Sequence, residues 1–241
     1  MTERISTGSY DLNDWLSGGY ETDVVTMIGG PAGSGKTNFC ILASCSQAKK
    51  GKKVIFIDTE GGFSVERVKQ IVPKNFEEIL GNIFLLNPVN FEEQRKAFSQ
   101  MLESIKKKDV GLIVVDGMAT LYRLELGEAV HGKNDGKIKE VNWKMAGQMK
   151  VLAEISRKQK IPVLVTNQVY SGFLSEDDLK NGTERKINFV GGDLLKYWSK
   201  CIIELQNKSG RKAILIKHRS LPEKEISFEI KNEGVFKRGW L

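Results

Sequence analysis

Short apolar runs rich in β-branched residues alternate along this chain with longer segments of helical period. The runs at residues 24–28, 54–58, 83–86, 112–116, 163–166, 201–205, 213–216 and 226–230 read as strands. Several are apolar almost throughout, as strands buried on two faces must be. Between them, residues 91–107 place Phe91, Phe98, Met101, Leu102 and Ile105 on one face with Glu and Lys opposite, the pattern of a surface helix. A second long helix is predicted from about residue 140 to 158, stopping before Pro162, whose ring holds the preceding residue extended. The alternation predicts an α/β fold: a mainly parallel twisted sheet with helices on both faces. The last three strands follow one another without helices between them, so an antiparallel C-terminal edge is expected. Two polar, Gly-containing stretches, 124–137 and 171–192, break the rhythm and read as long loops, each after a strand C-terminus, where ligands of open α/β sheets sit.

The 241 residues are read as a single domain spanning 1–241, since no repeat or low-complexity linker divides them. No apolar stretch approaches the roughly 18 residues of a membrane span, and the first ten residues lack the apolar core of a signal peptide. Cys40, Cys45 and Cys201 are odd in number and show no CxxC spacing, which points to reduced packing thiols in a cytoplasmic protein. The formal charge of +7 favours a polyanionic partner. His131 and His218 lie in polar surroundings and are expected to face solvent, and Trp15, Trp143, Trp198 and Trp240 to serve packing.

The sharpest chemical signal is Gly30-Pro31-Ala32-Gly33-Ser34-Gly35-Lys36-Thr37, which follows the strand at 24–28 and opens a helix at Asn38. Glycines at this spacing let backbone N–H groups turn inward around phosphates, Lys36 reaches the β and γ phosphates, and Thr37 offers its hydroxyl to Mg²⁺. The run 112–116 ends in Asp116, an acid placed to hold the Mg²⁺ hydration shell opposite Thr37. Asp58-Thr59-Glu60 delivers a second acid to the same edge. Glu60 is the candidate general base for an attacking water, although a carboxylate at a strand end needs no such role. Gln168, after the strand at 163–166, is either a γ-phosphate sensor or a plain loop amide. ATP and Mg²⁺ are thus the expected cofactors.

Taken together, these residues resemble the RecA/RadA recombinase family, and within it the short archaeal RadB branch. The matching segments are Ile5 to Ser9, Leu12 to Leu16, Gly18 to Thr22, Asp58 to Gly61, Phe63 to Val68, Tyr122-Arg123-Leu124-Glu125, Thr166 to Val169, Gly191-Gly192 and Leu221-Pro222-Glu223, in family order. The resemblance implies a RecA-like ATPase core with Glu60 catalytic and Gln168 a sensor. It also makes the two irregular stretches DNA-facing loops, with Arg123, Lys133, Lys137, Lys180, Arg185 and Lys186 as phosphate contacts and Phe173 or Phe189 as stacking residues. Implied partners are single-stranded or branched DNA, a RadA-type recombinase, a junction-processing nuclease and a second copy in a homodimer, with no membrane.

The departures are as informative. The chain is expected to lack the family's N-terminal helical DNA-binding domain and polymerisation segment, its first loop lacks a Gly-Arg-Gly run, and Asp193 follows Gly192 where the recombinases usually have His. These features imply an accessory protein of recombination and repair with weak Mg²⁺-dependent ATPase and no strand exchange of its own. The rivals are a filament-forming recombinase and a signalling or clock-type RecA-fold ATPase acting on protein partners.

Overall fold

The computed structural model describes residues 3–171 and 187–239. Strands β1 (Arg4–Ile5) and β2 (Tyr20–Glu21) form a small antiparallel pair around helix α1 (Tyr10–Trp15). The remaining strands form one sheet. These are β3 (Val25–Gly30), β4 (Lys53–Asp58), β5 (Ile83–Leu86), β6 (Val110–Asp116), β7 (Val163–Ser171), β8 (Ile187–Phe189), β9 (Ser199–Gln206), β10 (Arg211–Lys217), β11 (Lys224–Lys231) and β12 (Gly234–Lys237). Their order is β12-β11-β10-β9-β3-β7-β6-β4-β5, with β8 pairing β7. From β9 to β5 every neighbouring pair is parallel, and β10, β11 and β12 add an antiparallel edge.

Alternation along the strands sends side chains into two cores. Val54, Phe56, Leu112 and Val114 meet α2 (Lys36–Ala48), α3 (Val65–Ile71) and α4 (Phe76–Gly81) on one face. Ile55, Ile57, Ile113 and Val115 meet α5 (Phe91–Lys107), α6 (Thr120–His131), α7 (Asp135–Gln159) and α8 (Gly192–Trp198) on the other. The expected α/β fold with an antiparallel C-terminal edge is therefore what the structure shows. The three cysteines are buried and free, and burial pushes the Cys45 thiol up to about 11 and Cys201 to about 12.

Three expectations are corrected. Residues 124–137 are not a loop but the body of α6, a turn at 132–134 and the start of α7. Leu121, Tyr122 and Ala129 are buried and Leu126 packs beside them, a helical face that the solvent-side Gly127 does not interrupt. Asn134 caps α7 by accepting the Lys137 N–H at 2.9 Å. His218 does not face solvent: its side chain is 2% exposed, its Nδ1 accepts the N–H groups of Ser220 and Leu221, and its Nε2 lies 3.7 Å from Glu21. Trp143 is not a packing residue but is 85% exposed on α7. Trp15 is buried and Trp198 packs against the second core, whereas Trp240 lies outside the described residues.

Segments near the two ends of the described residues are fastened together. Ser9 Oγ donates to the carbonyl of Val235 at 2.6 Å, and the Lys237 N–H donates to Asp11 Oδ2 at 2.7 Å, docking α1 on β12. No helix among the described residues is long and apolar enough to cross a membrane.

Candidate nucleotide site

Strand order assembles the site. β3 and β7 run side by side with Gly30 opposite Gln168, and β4 and β6 run side by side with Asp58 opposite Asp116. The sequence-predicted residues therefore meet at the C-terminal edge of the parallel strands, where helix α2 begins.

The loop from Gly30 to Gly35 has little freedom. A Cβ on Gly30 would stand 2.7 Å from the carbonyl oxygen of Leu205 and from Ser34 Oγ, and Gly35 caps α2 with φ +108°, a left-handed geometry that favours glycine. No side chain caps α2, so the N–H groups of its first turn remain available to an anion. Lys36 is only 6% exposed, and its Nζ donates to the carbonyls of Gly30 and Pro31, both at 3.0 Å. Burial lowers the pKa of this ammonium, against the pull of Glu60 and Asp116.

Thr37 Oγ1 donates to Asp116 Oδ2 at 2.7 Å, while Thr166 Oγ1 donates to Asp116 Oδ1. Asp116 is fully buried, and desolvation raises its pKa in spite of those two hydrogen bonds, with Asp58 and Glu60 adding repulsion. Gly62 closes over this pair: a Cβ there would lie 3.1 Å from Thr37 Oγ1. A hydroxyl and a buried carboxylate form an oxygen donor pair that suits Mg²⁺.

The Asp58 carboxylate shapes the next turn. Its Oδ1 accepts the N–H groups of Glu60, Gly61 and Gly62, and its Oδ2 accepts that of Phe63. This clamp aims Glu60 across the cleft, where its Oε1 accepts from Thr120 Oγ1 at 2.7 Å and from Gln168 Nε2 at 3.0 Å. The cleft encloses about 430 Å³ between the loop, Glu60, Gln168, Arg211 and Ile230. A second cavity of about 260 Å³ lies behind Gln168 and is lined by Arg123 and Asn167 among others.

Sequence reasoning missed Thr120 and Arg211, which carry no motif, the Asp116-binding role of Thr166, and the backbone-binding role of Asp58, for which the glycine pair Gly61-Gly62 after a strand was the available sign. Of the basic residues singled out, Arg123 faces the second cavity and Lys133 is exposed in the turn between α6 and α7 with φ +49°. Lys137 is paired with Glu125 at 2.7 Å. Asp193 is exposed in the first turn of α8, 4.0 Å from Lys196. Lys180, Arg185, Lys186 and Phe173 lie outside the described residues, as does the side chain of Phe189.

Comparison with known proteins gives a consistent picture. The family model described as Rad51 matches residues 2–238. The chain is similar to a "DNA repair and recombination protein RadB" from Methanobrevibacter smithii, 39% identical over 238 residues, covering 96% of this chain and 95% of that protein. A protein of the same description from Methanococcoides burtonii is 40% identical over 239 residues and 98% of each chain. One from Methanocaldococcus jannaschii is 39% identical over 225 residues, covering 93% of this chain and 98% of that protein.

Proposed function

The chain belongs to the Rad51 family, and on that premise we propose that it is an ATP-binding accessory protein of DNA recombination and repair with slow Mg²⁺-dependent ATP hydrolysis. The observation that carries the nucleotide part is the convergence on one cleft of the Gly30–Thr37 loop, the Thr37–Asp116 contact and the Glu60–Gln168 hydrogen bond.

In this reading the backbone N–H groups of residues 33–38, Asn38 included, wrap the phosphates, and Lys36 leaves the Gly30 and Pro31 carbonyls to meet the β and γ oxygens. Thr37 directly and Asp116 through water would hold Mg²⁺, which when bound offsets the phosphates' negative charge. Glu60 accepts a proton from, or orients, the attacking water, and Gln168 holds Glu60 in place and reports on the γ position to strand β7. The hydrogen bond between them makes a unit of base and sensor.

The DNA part rests on the relatives' names, the net charge of +7, and the exposed basic and aromatic residues of α6, α7 and the turn between them. Arg123 adjoins Gln168 through the second cavity, and Lys133, Lys139 and Trp143 are exposed on the α6–α7 hairpin, where cations and an aromatic face suit a single strand. A RadA-type recombinase and a junction nuclease are the proposed protein partners.

The test is binding of a labelled single-stranded oligonucleotide across a salt series, with and without ATP and Mg²⁺. Affinity that falls with salt is expected, and no binding at low salt removes the DNA claim. For the nucleotide, ATP at a hundred times its Kd is expected to add about 2.7 kcal/mol of stability, raising Tm by about 5 to 10 °C. Lys36→Ala is expected to abolish that rise, and an equal rise in the variant removes the assignment of Lys36.

A further inference from the structure

We propose that Arg211 is a second phosphate-binding cation of the nucleotide cleft, supplied by the antiparallel edge of the same chain. The proposal rests on the reading of the cleft as an ATP site and adds a residue that neither the loop motif nor the strand-end acids include.

Arg211 opens β10 and lines the cleft together with Lys36. The segment that carries it is placed by three contacts between the C-terminal strands and the phosphate loop. β9 runs beside β3 so closely that the Leu205 carbonyl leaves no room for a side chain on Gly30. Asn207, in the turn leading to β10, donates from Nδ2 to the carbonyl of Ala32 at 3.2 Å. Ile230 of β11 abuts Gly35, where a Cβ would come within 2.9 Å of its Cδ1. The turn that carries the arginine is therefore fixed against the loop, while the guanidinium itself is exposed at the cleft.

Charge supplies the second argument. A nucleoside triphosphate carries about four negative charges near neutral pH, and the cleft already holds Glu60 at its rim and Asp116 beneath Thr37. Lys36 and Arg211 are the two cations among the residues lining it. Arg211 has no hydrogen-bond or ion-pair partner among the described residues, so its five donors are available, and a planar guanidinium suits two phosphate oxygens at once. Because the charge comes from the same chain, this compensation needs no second copy.

Isothermal titration of the full-length protein with ATP and Mg²⁺, and with tripolyphosphate, tests the assignment on wild type, Arg211→Ala, Arg211→Lys and Lys36→Ala. Arg211→Ala is expected to weaken both ligands about tenfold or more, and Arg211→Lys to recover part of the loss. Unchanged circular dichroism is expected, since the side chain is exposed. Wild type that binds neither ligand overturns the ATP-site reading itself. Wild type that binds while Arg211→Ala stays within twofold overturns the role of Arg211 alone. Weakened ATP with unaltered tripolyphosphate overturns the phosphate contact, moving the arginine to the ribose or base.

Discussion

Gln168 donates a 3.0 Å hydrogen bond to Glu60, a residue 108 positions away, and no covalent or local feature of the chain dictates that meeting. It follows from strand order: β7 lies between β3 and β6, and β4 lies beyond β6, so the tips of β4 and β7 flank the same cleft.

That bond makes a kinetic prediction. Glu60→Gln is expected to reduce ATP turnover by about 100-fold or more, with ATP affinity within a few fold of wild type. Gln168→Ala should also slow turnover while leaving affinity similar, because it frees Glu60 without removing it. Single-turnover assays beside equilibrium titrations separate the two effects. Glu60→Gln with undiminished turnover would exclude the carboxylate as base.

Asp116 separates function from stability. Its buried carboxylate has a pKa raised chiefly by desolvation, so ionising it costs more in the fold than in the unfolded chain. Asp116→Asn is therefore expected to leave the Tm of the ligand-free protein equal or higher while cutting Mg²⁺-dependent turnover about a hundredfold. A drop of several degrees in calorimetry would instead make the carboxylate a net stabilising group through its Thr37 and Thr166 hydrogen bonds.

Helix α6 can be checked without reference to activity. Gly127 sits on its solvent face, and a Cβ there would meet nothing within 4 Å. Gly127→Ala is expected to stabilise the protein by roughly 0.5–1 kcal/mol through helix propensity. Chemical denaturation measures this, and an irregular segment at 124–131 would give no gain.

His218 predicts a pH dependence. Burial lowers its pKa below the usual value, against the pull of Glu21 and with the repulsion of Arg4, Arg219 and Lys224. Protonating Nδ1 would also aim a hydrogen at the N–H groups of Ser220 and Leu221. The folded pKa lies below the unfolded one of about 6.5, so the stabilisation is complete above that pH and is lost as pH falls through the folded value. Urea midpoints should fall between pH 7.5 and 5.5 in wild type, and less in His218→Asn. Parallel curves would rule the histidine out as the source.

What could be read before folding was what is local. The phosphate loop is contiguous, and the long buried strands and α5 announce themselves by period. By pattern alone Glu60, Asp116 and Gln168 show as polar residues at strand ends, and their roles came from the phosphate loop and the family resemblance, because the order of strands that joins them is a property of packing. Helix α6 was hidden by Gly127 and by the polar residues around it, although Leu121, Tyr122, Leu126 and Ala129 carried its period. Helices α3 and α4 have 7 and 6 residues, too few for a period to register. Arg211 enters from the antiparallel edge with no motif to mark it, and His218 was misread because its burial depends on Glu21, which stands nearly the whole chain away.

The fastening of α1 to β12 also bears on how the protein comes to exist. Ser9 and Asp11 find their partners 226 positions later, so during synthesis these two hydrogen bonds cannot form until β12 has left the ribosome, although α2, which shares a core with α1, emerges early. Local elements such as α2, α5 and the β1–β2 pair can form as they emerge, but the docking of α1 on β12 has to wait, and it is expected among the latest events of folding. The same geometry brings residues near the two ends of the described chain side by side, so a circular permutant joined there and reopened at an exposed turn such as 132–134 would keep every strand pairing of the sheet.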